Sequence, residues 1–323
     1  YLLILAWRDD YADAPAVDAV AETTASVGAD IPSTTGAAGD IPVQRLPVDN
    51  NTVANDAVTA TPAKDTGLIT VTTDRYDIKI NPEGGDIVYA ALKQYDATLD
   101  SDKPFVLLEN NSNRVYVAQS GLIGPNGIDT AEGRAKYSHT ANNYVMEAGQ
   151  QTLSVPLTYK KDGVTVTKTF TFTENKYPID ISYQIQNAST QPWQGQLFAQ
   201  LKRDDSKDPG MSDKGALSMA TYLGGAWGTP DDPYNKLKFK DFNDGELAVS
   251  SDKGWVGVVQ HYFVSAWIPE NFTATFFSRE TGDDYFIGFN SQPVNVAPNK
   301  QVTLDATLYA GPKVQSELKD VAV

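Results

Sequence analysis

The stretch GWVGVVQHYFVSAWIP, residues 254–269, is the apolar spine of the chain. Trp255, Val256, Val258, Val259, Tyr262, Phe263, Val264, Trp267 and Ile268 are β-branched or aromatic, and the run is too continuous for a strand with one face in water. It predicts a strand buried on both faces, or one bent between two packed sheets. Gly254 and Gly257 predict a bend, or a place where another backbone comes close. Pro269 has no N–H to give to a ladder and is the expected end.

Upstream of the spine, residues 153–159 and 164–172 flank Asp162-Gly163, a pair suited to a hairpin turn with positive φ. Thr165, Thr167, Thr169, Thr171 and Thr173 fall on one face and Val164, Val166, Phe170 and Phe172 on the other, which predicts an antiparallel strand with one wet side. Residues 179–186 and 193–201 continue the pattern. Earlier, residues 69–80 alternate, Asn81-Pro-Glu-Gly-Gly85 makes a turn, and short strands follow at 87–95, 105–108, 115–118 and 144–146. Residues 121–136 are Gly-rich and read as a long loop. Downstream, 275–277, 285–290 and 302–309 are strands. Val314, Leu318 and Val321 recur at helical spacing, with Pro312 suited to a first turn, so 312–323 is expected to be a short C-terminal helix. The fold class is all-β: two large, mostly antiparallel sheets in one sandwich, residues 66–311.

The aromatic residues agree. Of 33, 30 lie between Tyr76 and Tyr309, so the material for a core sits in the last three quarters of the chain. Residues 1–7 are apolar but far too few to span a bilayer, which takes about 20. They read as the end of a longer N-terminal membrane anchor, with Trp7 at the interface. Residues 8–65 carry ten acids and three bases and no aromatic residue beyond Tyr11. Such a stretch buries too little to offset its ordering entropy and reads as an acidic, disordered tether.

The net charge is −15, with no basic stripe, which argues against a nucleic-acid or anionic-lipid partner. The absence of Cys excludes disulfides, zinc knuckles and thiol nucleophiles. His139 lies in a polar stretch and His261 inside the spine. No serine elbow, HExxH pair, P-loop or dinucleotide fingerprint occurs, and Gly224-Gly-Ala-Trp-Gly228 lacks the Lys of a phosphate cradle. Residues 241–246 do not keep the register of a calcium loop. No cofactor, metal or catalytic residue is expected. A carboxylate pair for glycoside chemistry stays open, because nothing singles out two of the 41 acids. The larger anomaly is Tyr222, Trp227, Tyr234 and Phe239 in a reading of 222–239 as a loop, with Phe242 just after it: either a small core folds under that loop or the rings form a binding surface.

Several stretches carry a resemblance in the same order: Ser101-Asp-Lys-Pro-Phe105 with Leu107-Leu-Glu109, Ala118-Gln-Ser-Gly-Leu122, Val155-Pro-Leu-Thr-Tyr159 and Lys168-Thr-Phe170. Then come 222–239 with Thr229-Pro-Asp231, Ala266-Trp-Ile-Pro269 in the spine, Ser291-Gln-Pro-Val294 and Leu308-Tyr-Ala-Gly-Pro312. Over residues 68–312 the chain resembles the first, large periplasmic domain of the YidC membrane protein insertases of Gram-negative bacteria. The resemblance implies a β-supersandwich, a fold shared with aldose-epimerase-like and other carbohydrate-active domains. It implies a domain in the periplasm, anchored in the inner membrane, with insertion of nascent membrane proteins left to a membrane region that would follow residue 323. It implies a non-enzymatic accessory role and contact with SecD and SecF, subunits of the Sec translocon, through a part corresponding to residues 197–255. Tyr222, Trp227, Tyr234 and Phe239 are carried from it as partner contacts. The alternatives are a carbohydrate-binding or epimerase-like sandwich, for which two such histidines are poor material, and a cleft holding an emerging polypeptide.

Overall fold

The alternation that begins near residue 68 is carried into strands almost without interruption. The computed structural model describes residues 40–42, 67–98, 101–209, 222–244 and 247–314. In chain order the strands are β1 (Ile69–Thr72), β2 (Tyr76–Asn81), β3 (Asp86–Asp96), β4 (Pro104–Asn111), β5 (Arg114–Ile123), β6 (Asn143–Val145), β7 (Thr152–Lys161), β8 (Val164–Thr173), β9 (Pro178–Asn187) and β10 (Trp193–Arg203). Then come β11 (Gly224–Gly228), β12 (Asn235–Leu237), a 3₁₀ helix (Phe239–Asp244), β13 (Ala248–Ser251), β14 (Trp255–Val259), β15 (Phe263–Glu270), β16 (Ala274–Thr281), β17 (Asp284–Ser291), β18 (Val294–Val296) and β19 (Lys300–Pro312).

They form two sheets. The larger has 11 strands in the order β13-β16-β17-β10-β5-β4-β3-β2-β1-β6, with β18 on the start of β10; the smaller has eight, β12-β11-β14-β15-β19-β9-β8-β7. Every pairing between them is antiparallel except β1 with β6. Leu197, Ala199 and Leu201 of β10, Ala118 and Leu122 of β5, and Ile287 and Phe289 of β17 meet Val166 and Phe170 of β8, Ile179, Ile181 and Ile185 of β9, and Val256, Val258 and Trp267 in one apolar core. The period of two puts the remaining side chains of each strand outside.

The β7–β8 hairpin is as the sequence predicts, with Asp162 at φ 50° and Gly163 at φ 79°. The spine is not one strand. It is a hairpin of β14 and β15, with Val259 facing Val264 across the turn at Gln260, His261 and Tyr262, and Tyr262 is 69% exposed. The turn carries no Gly, Pro, Asn or Asp, so nothing in composition interrupts the run. Pro269 does not end β15. It pairs with Ala306 inside the ladder. The expected approach of another backbone is present: a Cβ on Gly257 would stand 2.1 Å from the carbonyl oxygen of Ser265.

Three other readings change. Residues 222–239 are not a loop but the β11–β12 hairpin at the edge of the smaller sheet, hidden in the sequence by Gly224, Gly225 and Gly228, which are poor strand formers. β5 runs through Ile123, so the loop after it is shorter than expected. Pro312 closes β19 opposite Phe263 instead of opening a helix, and residues 315–323 lie outside the described residues. The apolar N-terminus and most of residues 8–65 also lie outside them. Within that stretch Asp40, Ile41 and Pro42 are described, with Ile41 and Pro42 buried.

Gly257→Ala is expected to lower unfolding stability by roughly 2 kcal/mol, because the new methyl overpacks a backbone-to-backbone contact. The urea midpoint measures it, and an unchanged midpoint would mean that β14 can move away from β15.

Candidate functional site

The residues expected at a partner contact lie on and beside the β11–β12 hairpin, and strand register divides them. Trp227 pairs with Val256, which pairs with Trp267, which pairs with Leu308. Those three are buried in the core, so Trp227 continues an inward row to the sheet edge and packs against the core there. Phe239, just past β12, also turns inward: it stacks on Tyr285 at 4.8 Å, meets Phe242 edge-on at 5.4 Å, and has the Arg203 guanidinium 5.8 Å from its ring.

Tyr222 and Tyr234 also pack against the margin of the core and are partly buried like Trp227, but strand alternation puts them on the other face of the hairpin, with Lys236. Tyr222 Oη lies 2.5 Å from the Gly225 carbonyl and 2.9 Å from that of Leu237, so its one proton is shared between the two strands of the hairpin. Lys236 Nζ stands 5.2 Å from the Tyr222 ring and 6.0 Å from that of Tyr234, and the Tyr234 ring is 6.0 Å from Trp255. The backbone beneath has no side chains to lift these rings: Cβ atoms on Gly224 and Gly228 would come within 2.7 Å of Tyr222 Oη and Trp255 Nε1. Burial raises both phenol pKa values, and Asp241 adds to this at Tyr222, so both hydroxyls are neutral at physiological pH. The result is a strip of three partly exposed rings, two of them beside one cation, the composition favoured where proteins meet.

Spacing gives no reason to single out Lys168, yet it is wholly buried. The signal was in the alternation: it occupies the same face of β8 as Val166 and Phe170. Its ammonium crosses from the smaller sheet to the larger and donates to the carbonyls of Gly85 (2.7 Å), Gly84 (3.1 Å) and Ser120 (3.1 Å). The Gly84-Gly85 turn, at φ 82° and 64°, is what brings two carbonyls to one point, and a Cβ on Gly85 would stand 2.9 Å from Lys168 Cδ. Beside it Arg134 pairs with Asp86 at 2.7 Å and with Asp129 at 3.1 Å. Burial lowers the Lys168 pKa to about 7, against the opposing pull of Asp86. Burial likewise raises that of Asp86, against Arg134 and Lys168.

A second buried knot joins β5, β10 and the spine hairpin. Asp208 Oδ1 takes Arg203 at 2.9 Å and Arg114 at 3.6 Å, and the Gln260 amide donates to the same oxygen. His261 is the next residue, in the turn between β14 and β15, and His139, in the connection between β5 and β6, faces the Ala141 carbonyl at 3.1 Å. Among the described residues no group of three or more His, Asp or Glu is placed to hold a metal.

A family model described as the YidC periplasmic domain matches residues 68–323. The chain belongs to that family. Among relatives named membrane protein insertase YidC, that of a Marinomonas species is 41% identical over 331 residues, covering 100% of this chain and 58% of its own. That of Stutzerimonas stutzeri is 42% identical over 331 residues with the same shares, and that of Aliivibrio salmonicida 40% over 287 residues, 88% and 51%. The chain thus spans about half the length of the curated relatives it matches. Among solved structures, a galactose mutarotase related enzyme from Lactobacillus acidophilus overlaps 77% of this chain and 98% of its own, with a TM-score of 0.49 and 9% identity. The YidC periplasmic match begins one residue ahead of β1 and takes in every strand, both buried charge knots and the outer strip; Asp40-Ile41-Pro42 precede it.

A lysine whose folded pKa lies below its unfolded value binds fewer protons folded than unfolded between those values, so stability rises with pH across that window. Here it runs from about 7 to the ordinary lysine value near 10.4. Unfolding free energy is expected to rise from pH 7 to 9.5 by up to about 1 kcal/mol per pH unit, and Lys168→Met to flatten that rise. Urea titrations at several pH values measure both, and a flat profile in the unaltered chain would mean that the three carbonyls retain the proton.

Proposed function

We propose that this chain is the periplasmic module of an inner-membrane protein insertase and that it works as a non-catalytic scaffold, its outer strip at Tyr222, Tyr234, Lys236 and Trp255 contacting the translocon subunits SecD and SecF. The observation that carries the reading is the family match across every strand of the sandwich. Supporting the scaffold role, the buried charges at Lys168, Arg134, Asp86 and Asp129 are engaged with one another and with backbone carbonyls between the sheets. Supporting the contact, Tyr222, Tyr234 and Lys236 lie on and beside the edge hairpin β11–β12, with Trp255 at the start of the neighbouring β14, all inside the part of the chain, 197–255, that the resemblance associates with those subunits. Insertion itself belongs, in this reading, to the half of the relatives that this chain does not cover.

Register makes the proposal specific. A photocrosslinker at Tyr234 or Lys236 of the full-length insertase in its native membrane is expected to yield adducts with SecD or SecF, and one at inward-facing Trp227 none. Tyr234→Ala combined with Lys236→Glu is expected to weaken co-purification by roughly 30-fold, the loss of one well-placed anchor, with the unfolding midpoint unchanged. Equal adducts from Trp227, or adducts confined to nascent chains, would overturn the assignment in favour of a different face or a substrate cleft.

A further inference from the structure

The outer face of the larger sheet carries a second, separate apolar cluster: Ile123 of β5, Phe198 of β10, and Ile41, a residue of the acidic N-terminal stretch. Phe198, Gln200 and Lys202 alternate with the core residues of β10 and therefore point away from the core. They are nevertheless covered, since Phe198 and Gln200 are wholly buried. Part of the cover is the tripeptide Asp40-Ile41-Pro42.

Each of its three residues meets a distinct demand. The Asp40 carboxylate takes Lys202 Nζ at 2.8 Å and Gln119 Nε2 at 3.3 Å. The Asp40 carbonyl accepts from Arg279 Nη2 at 2.9 Å and from the Gln200 amide. Ile41 fills the apolar cluster, and Pro42 is buried without bringing an N–H that would need an acceptor. The receiving groups are also held by partners other than the tripeptide. Gln200 donates to Gln119 at 2.9 Å, Gln119 to Asp86 at 3.1 Å, Lys202 pairs with Asp284 at 3.0 Å, and the Arg279 guanidinium lies 3.8 Å from the Phe286 ring centre. The site is thus built by four strands, β5, β10, β16 and β17, and set in place through neighbours of its own.

The sequence supplies the second observation. Asp-Ile-Pro occurs twice in the chain, at 40–42 and at Asp30-Ile31-Pro32, ten residues earlier, and both copies lie ahead of β1. We infer that the outer face of the larger sheet is a docking site for an acidic–aliphatic–proline tripeptide, that Asp40-Ile41-Pro42 is its resident ligand, and that Asp30-Ile31-Pro32 is a second ligand for the same site. The chain then has two docked registers. Moving from one to the other transfers ten residues from one side of the dock to the other, a change in reach of up to roughly 34 Å of extended chain.

The chain has no Cys, so spin labels report only from positions placed for them. Two pairs, Val43→Cys with Asp283→Cys and Ser33→Cys with Asp283→Cys, put a label directly after each tripeptide and one on the exposed β16–β17 turn. Electron–electron distance measurements on the whole chain are expected to give a narrow distribution for the Val43 pair and a broad one for the Ser33 pair. Ile41→Asp, which puts a charge into the apolar cluster, should exchange them, making the Val43 pair broad and the Ser33 pair narrow, with the first register reduced at least tenfold. Adding Ile31→Asp should make both broad. A broad Val43 distribution in the unaltered chain would overturn the dock. A Ser33 pair that stays broad in the Ile41→Asp chain would overturn the second register. Ile41 lies in no strand and Ile31 precedes β1 in the chain, so the unfolding transition separately reports that the sandwich is intact.

Discussion

One ammonium group ties the two sheets together. Lys168 leaves the middle of β8 and ends on three backbone carbonyls of the opposite sheet, two from the turn between β2 and β3 and one from β5. Lys168, when protonated, has three N–H bonds and here three acceptors, so it is satisfied only if turn, strand and opposing sheet are all in register. Asp86, Arg134 and Asp129 complete the arrangement, and Asp129 also accepts from the Leu122 and Ala135 backbone amides, fixing the loop after β5. An apolar side chain of the same size would fill the space but would not specify which turn faces which strand. Such buried charge is costly to break and selective about geometry.

The sequence was most legible where period and composition agree. On β8, threonines alternate with apolar residues and the turn before it has the residues its φ values require, so strand, face and hairpin could all be read. The spine was legible as buried but not as two strands, because Gln260-His261-Tyr262 turns the chain without a residue that favours turning. Its turn is held from outside, by the Gln260 side chain on Asp208 and by the Lys313 amide on the Tyr262 carbonyl. Such contacts are long-range and leave no local mark. The β11–β12 hairpin is illegible for the opposite reason: its glycines read as a loop, yet Gly224 and Gly228 sit in a strand with the Tyr222 and Trp255 side chains over them.

The candidate contact residues show how far composition alone can go. It identified an excess of aromatics in 222–239, and family resemblance associated that part with a partner, yet which rings face outward depends on pairing. Trp227 and Tyr234 differ by seven residues, but Trp227 lies in line with Val256 and Trp267 whereas Tyr234 lies beside Trp255. A one-residue change of register would exchange them. Lys168 is the reverse case. Its place on the inner face followed from the alternation around it, but a lysine in that row is easily passed over, because lysine is rarely found buried without partners, and its partners are 48 to 84 residues away.

The position of Asp40 has a mechanical consequence. Its contacts reach Gln119, Gln200, Lys202 and Arg279, all on strands interior to the larger sheet, while the edge strands β13 and β6 are untouched. Tension applied to the chain ahead of Asp40 is therefore met by side chains of three strands whose neighbours hold them on both sides, and it must break those contacts before it passes further along the chain. A load on an edge would unzip one bond at a time. While the tripeptide stays docked, β1, which is four residues long and borders the edge strand β6, is not the first element to feel a pull.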